Sequence, residues 1–150
     1  MNHPIDFKGF IQIAVIVENI EQAAKEWADL FGVEVPEIRV APPKDDPDLT
    51  YRGAPAHYGL KLAVIQAGCF VIELHEPDHN PSTFREFLDK HGQGVHHLGF
   101  CVGDRRDAVI DDLESRGYAM RTIGFYPGGS WTIVDSEDKL GVNLNIKPKA

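Results

Sequence analysis

The chain resembles itself. The run GFIQIAVIV at residues 9–17 lies over GVHHLGFCV at residues 94–102, an offset of 85, and the same offset sets Ala23 on Ala108 and Gly32 on Gly117. Such a duplication constrains the fold strongly, because each copy builds the same unit and the two must bury one another's open faces. In both copies a strand-like run leads into a helix-like run that stops at a glycine. The first predicted helix, 20–31, carries Ala23, Ala24, Trp27, Leu30 and Phe31 at helical spacing; the second, 105–116, carries Ala108, Val109 and Leu113. A glycine just past the last turn is a usual helix stop.

Three more strand-like segments follow each helix: 33–40, 60–66 and 69–76 in the first half, 118–126, 130–135 and 141–147 in the second. Each half therefore reads β-α-β-β-β, and the expected fold class is α+β in one domain over residues 1–150. Module one covers about 9–76 and module two about 94–147, joined by a short helix over 81–91 with Ser82 as its N-cap. The halves differ at 41–56, APPKDDPDLTYRGAPA, a connection long enough to be functional, or else an ordinary solvated loop.

Charge narrows the partners. The net charge is −8, from 15 basic and 23 acidic side chains, which argues against a nucleic-acid or anionic-membrane binder. No run of 18 apolar residues predicts a membrane span, and residues 1–9 lack the apolar core of a secretory signal. Cys69 and Cys101 each sit in an apolar run without a C-x-x-C pair and read as buried thiols of a reducing compartment. The expectation is a cytoplasmic domain.

Candidate site residues follow from strand alternation. Gln12 matches His97 by the repeat, and VIEL at 71–74 resembles NLNI at 143–146. On each of these four strands one face is apolar, while the other places Gln12, Glu73, His97 and Asn145 beside small residues such as Ala14, Cys69 and Gly99. Polar groups among small neighbours leave room for a ligand, so these four predict the centre of a cup.

These residues carry a family resemblance. QIAVIV (12–17), IELHEP (72–77), FLDKHGQGVHHLGF (87–100) and GVNLNI (141–146) are similar to the vicinal oxygen chelate superfamily, which includes glyoxalase I, methylmalonyl-CoA epimerase, extradiol dioxygenases and bleomycin-resistance proteins. The stretch 72–102 most resembles the epimerase branch. The resemblance implies paired βαβββ modules in an open barrel-like cup, and a homodimer. It also implies one divalent metal, Mg, Mn, Co or Zn, held by Gln12, Glu73, His97 and Asn145. Asn145 stands where relatives use glutamate, and a neutral amide cannot accept a proton, so a metal-free cup is the alternative. The implied activity is that of an isomerase, epimerase or lyase moving a proton beside a carbonyl through an enolate, on a small-molecule carbonyl substrate. Glu73 is the base or a ligand, and His75, on the same strand face, a second acid/base group. The alternative is a non-catalytic small-molecule binder of the bleomycin-resistance type.

Four more residues are candidate substrate contacts. His57 follows the long connection, Tyr126 and Trp131 flank the turn YPGGSW, and Arg121, like Arg52, has the fork to hold a carboxylate. His96 alternates away from the cup.

Overall fold

Each copy of the repeat builds its unit from local signals. The structure, a computed structural model, describes residues 3–42, 46 and 48–149. In the first copy β1 (Phe10–Ile16) leads into α1 (Ile20–Phe31), where the Asn19 side chain accepts from the Gln22 N–H and Gly32, at φ 67°, takes the left-handed turn that ends it. The chain continues through β2 (Arg39–Ala41), a hairpin of β3 (Thr50–Tyr51) and β4 (Ala54–Pro55), then β5 (Leu60–Ala67) and β6 (Phe70–Pro77). The linking helix α2 (Thr83–His91) is capped by Ser82, whose hydroxyl accepts from Arg85 N–H. The second copy comprises β7 (Gly94–Cys101), α3 (Arg106–Ser115), β8 (Met120–Tyr126), β9 (Gly129–Val134), a one-turn α4 (Glu137–Leu140) and β10 (Asn143–Lys147).

The eight longer-range strands form one curved sheet in the order β2-β5-β6-β1-β7-β10-β9-β8. Its centre is the antiparallel seam of β1 and β7, with β6 parallel to β1 and β10 parallel to β7. The registers on the two sides correspond. Gln12 lies opposite Val71 and Ala14 opposite Glu73; His97 lies opposite Asn143 and Gly99 opposite Asn145. The repeat is thus a structural pseudo-symmetry that makes Asn145 the counterpart of Glu73.

Packing follows the amphipathic helices. Val17, Ile20, Ala24, Ala63, Ile65 and Leu74 close the space beneath α1, and a second cluster including Phe100, Val109, Leu113 and Ile146 lies beneath α3. A third cluster lies inside the curve: Ile16, Leu49, Tyr58, Leu60, Phe84 and Ile133. The concave face is therefore apolar at one end, which is why Ile16 and Ala14 are fully buried although they share a face with Gln12.

Three expectations change. The strand expected over 33–40 is cut to Arg39–Ala41: Pro36 cannot donate to a ladder, and Val33 and Val35 are exposed. Cys69 is exposed, because it sits in the turn before β6, after Gly68 at φ 75°, and Cys101 is only half-buried; both are free thiols. In the long connection, residues 43–45 and 47 lie outside the described residues, and the rest holds the small β3–β4 hairpin. Among the described residues no helix is long and apolar enough to cross a membrane.

Candidate functional site

A cavity of about 480 Å³ opens on the concave face of the sheet, lined by residues of both copies. Gln12, Glu73, His97 and Asn145 all line it, as do His75, Tyr126 and Trp131. The repeat thus converges on one place. His57 does not reach it: that side chain is exposed and outside the lining, while its neighbour Tyr58 is buried against Thr122 and Trp131. Arg121 is not at the cavity either. It is buried behind the wall, donating to Asp135 (2.8 Å) and Glu137 (2.7 Å), and Arg52 pairs with Glu86. Both arginines do hold carboxylates, but the protein's own.

The polar centre is a directed chain. The backbone N–H of Thr132 donates to Asn145 Oδ1 (3.0 Å), Asn145 Nδ2 donates to Gln12 Oε1 (3.1 Å), and Gln12 Nε2 donates to Glu73 Oε2 (2.6 Å). A backbone N–H can only donate and a carboxylate only accept, so the ends fix the orientation of both amides. The other Glu73 oxygen accepts from His75 Nε2 at 3.0 Å. His97 stands apart: its Nδ1 meets His96 Nδ1 at 2.8 Å, and its Nε2 is buried without a partner among the described residues.

Glycines make room for this arrangement. A Cβ on Gly99 would lie 2.4 Å from Gln12 Oε1 and 2.7 Å from Gln12 Cβ. Gly124 and Gly129 bed the aromatic wall, since a Cβ on them would lie 1.9 Å from the Trp131 ring and 2.5 Å from the Tyr126 ring. Those two rings stack at 6.1 Å with 11° between their planes. Gly99→Ala is expected to displace Gln12, break the amide chain and cost about 1–3 kcal/mol by overpacking, read as a lower denaturant midpoint.

A family model described as the Glyoxalase/Bleomycin resistance protein/Dioxygenase superfamily matches residues 11–134. The chain belongs to this superfamily. Solved structures share its fold. Methylmalonyl-CoA epimerase from Mycobacterium tuberculosis aligns with a TM-score of 0.61 at 21% identity, covering 95% of this chain and 88% of that one. The Streptomyces coelicolor methylmalonyl-CoA epimerase in complex with 2-nitronate-propionyl-CoA aligns at 0.63 and 19%, covering 94% of each. A hypothetical protein from Bacillus halodurans C-125 aligns at 0.63 and 20%, again over 94% of each. The uncharacterized protein YqjC of Bacillus subtilis is 38% identical over 55 residues, a match that spans 35% of this chain and only 39% of that relative's length.

Superfamily members often bind a divalent metal, which the tetrad's chemistry can be tested against. A hard cation takes oxygen, yet each amide oxygen is already engaged by a hydrogen bond, Gln12 by Asn145 and Asn145 by Thr132, and Gln12 turns its NH₂ toward Glu73. Both Glu73 oxygens accept hydrogen bonds as well, the unpartnered atoms of the lining are the His75 Nδ1 and His97 Nε2 nitrogens, and among the described residues no group of three or more His, Cys, Asp or Glu is gathered closely enough to hold an ion. This donor set does not fit a divalent cation.

Electrostatics separates the carboxylate from the imidazoles. Burial alone would push Glu73 up, but the hydrogen bond and charge of His75, the charge of Lys147 and the Gln12 amide together hold its carboxyl below the ordinary glutamate value. Burial drives His96 down to about 3, helped by the charges of His75 and Arg121 and weakly opposed by the backbone of Thr83. Burial likewise drives His97 well below the ordinary histidine value, with His96, His75 and Lys147 adding to it.

These two histidines predict an acid-sensitive fold. Between the ordinary value of about 6.5 and about 3, the unfolded chain takes up a proton at His96 that the folded chain refuses. Their contribution is complete above about pH 6.5 and declines as the pH falls through that window. The urea midpoint is expected to drop between about pH 7 and about pH 5, where ordinary carboxylates barely titrate. A flat midpoint over that range would contradict the burial of neutral imidazoles.

Lys147, Phe84 and the β5 residues Leu60, Leu62 and Val64 also line the cavity and escape a reading confined to the tetrad. Lys147 had a signal: it lies two residues beyond Asn145 on the same strand, hence on the same face.

Proposed function

We propose that this chain is an isomerase that moves a proton on a carbon next to a carbonyl, with Glu73 as the group that takes and returns it. The observation that supports this reading is the setting of Glu73: a carboxylate held ionised at a cavity, with His75 on one oxygen and the amide chain on the other. A base must be both ionised and aimed, and these two partners hold its carboxylate in place. The substrate is a small carbonyl compound with an apolar body, matched to the Leu60, Leu62, Val64 and Trp131 lining. The fold-sharing epimerases, whose structures hold CoA compounds, make this reaction class the natural one to try first. The tetrad favours chemistry without a metal.

The test is hydrogen exchange at the α-carbon of a panel of small ketones and thioesters in D₂O, followed by NMR. Exchange is expected on at least one member, at the same rate with and without a chelator. Loss of exchange on chelation would overturn the metal-free reading.

One observation favours a second reading, that of a binding protein. Both Glu73 oxygens already hold internal hydrogen bonds, and the stacked Tyr126 and Trp131 offer a flat wall to an unreactive ligand. Quenching of Trp131 fluorescence by a panel member, with no exchange, would decide for it.

A further inference from the structure

Behind the cavity wall lies a line of buried polar groups that runs from Arg121 to His97. Arg121 Nη1 donates to Thr83 Oγ1 at 3.3 Å, Thr83 Oγ1 lies 3.2 Å from His96 Nε2, and His96 Nδ1 lies 2.8 Å from His97 Nδ1. All four side chains are buried, and Thr83 and His96 have no exposed surface at all. The line ends at His97 Nε2, which has no partner among the described residues and belongs to a residue of the cavity wall.

We infer that Arg121, Thr83 and His96 form a one-way hydrogen-bond relay that keeps the hydrogen of His97 on Nε2, so that the cup presents an N–H donor where the resemblance places a metal ligand.

The direction follows from the end that cannot reverse. A guanidinium only donates, so Arg121 occupies one lone pair of the Thr83 hydroxyl. The hydroxyl hydrogen then needs an acceptor, and His96 Nε2 is the side-chain partner within hydrogen-bond distance. A ring that accepts at Nε2 carries its hydrogen on Nδ1, which is the atom facing His97. His97 therefore accepts at Nδ1 and holds its own hydrogen on Nε2. The opposite direction is favoured by the Thr83 backbone, which attracts a His96 N–H, but it would fill both Thr83 lone pairs from Arg121 and His96 and strand a hydroxyl hydrogen in a fully buried position, a cost of the kind that buried polar groups avoid. Two ring nitrogens 2.8 Å apart share a single hydrogen between them.

The relay also names a ligand chemistry. An N–H at Nε2 recognises an oxygen acceptor, such as a carbonyl oxygen or the enolate oxygen it becomes, and repels a cation. With Glu73 at the same cavity, the cup has a proton-accepting carboxylate and an oxygen-receiving imidazole. The oxygen's role rests on the proposed proton transfer; the tautomer does not. Thr83 and His96 are positioning residues, remote from any ligand.

The experiment is ¹⁵N NMR on the whole protein with labelled histidine. His97 is expected to show a pyrrole-like Nε2 and a pyridine-like Nδ1, and the reverse pattern would overturn the relay. Thr83→Val, checked for a native near-ultraviolet CD spectrum, is expected to shift His97 Nε2 toward the pyridine-like range, while Thr83→Ser keeps the original pattern. Unchanged His97 shifts in a folded Thr83→Val protein would also overturn it. Should Thr83→Val fail to fold, the wild-type spectrum and titration with Mn²⁺ or Zn²⁺ decide: the relay predicts no tight binding of either metal, and tight binding accompanied by a shift of His97 Nε2 overturns it. The predicted tautomer without α-carbon exchange across the panel overturns the proton-transfer reading and leaves the relay supported.

Discussion

Glu73→Gln is expected to lower α-carbon exchange by about 10²–10⁴-fold, the usual loss when a positioned base is removed. The substitution keeps the size of the side chain and an oxygen for the Gln12 amide to donate to, so the cavity and the amide chain should survive while the proton acceptor goes. Exchange is read by NMR in D₂O, and an unchanged thermal midpoint shows that the loss is chemical. A variant within about threefold of the parent would remove Glu73 from the mechanism. The pH profile gives an independent check. The carboxyl of Glu73 is held below the ordinary glutamate value, so its charge is present above that value and is lost only as the pH falls further, through the lowered one. The acid limb of the rate should therefore lie below about pH 4.3, where an unperturbed glutamate titrates.

The second large effect is on stability. Phe84 sits on the first turn of α2 yet reaches into the concave side of the sheet, where it is almost completely buried. Its ring packs on Tyr58 at 5.9 Å, His75 at 5.6 Å, His96 at 4.9 Å and His97 at 6.3 Å, so one side chain braces every buried histidine of the site. Phe84→Ala is expected to cost about 3–5 kcal/mol through lost burial and the cavity left behind. For a chain of this length that is a fall of roughly 6–20 °C in the thermal midpoint. The new space would join the existing cavity, so the variant should also bind ligands more loosely than its parent. A midpoint within about 3 °C of the parent would show that the third core cluster collapses around the gap.

The contrast between these two residues shows what was legible in the chain. The place of Glu73 at the cavity is legible because the repeat and the two-residue period of a strand both operate at short range, and the matched registers at Ala14 and Gly99 carry them into three dimensions. Phe84 was not found, because periodicity tells a helix which face is apolar and nothing about which hollow that face will fill. Arg121 failed for a related reason. Its fork does clamp carboxylates, but those partners, Asp135 and Glu137, are brought close by the β8–β9 hairpin and α4, and no local pattern marks them. Alternation keeps His96 out of the cavity lining, yet its contact with His97 depends on both rings rotating toward one another around a shared strand. The four-residue centre was legible as positions. Its hydrogen-bond direction was not, because that is decided by the Thr132 N–H at one end.

The correspondence of β6 and β10 also has a stereochemical consequence. Two halves of the same shape carry unlike chemistry at matched positions, an ionised oxygen at Glu73 and an amide at Asn145. Under the proposed proton transfer, Glu73 would meet an enolate lying between the halves from its own side, while Asn145 has no ionisable group to answer it from the other. Retention of handedness at the carbon that loses the hydrogen is then the expected result, and inversion would assign the second proton carrier to Lys147, which lines the same cavity from β10.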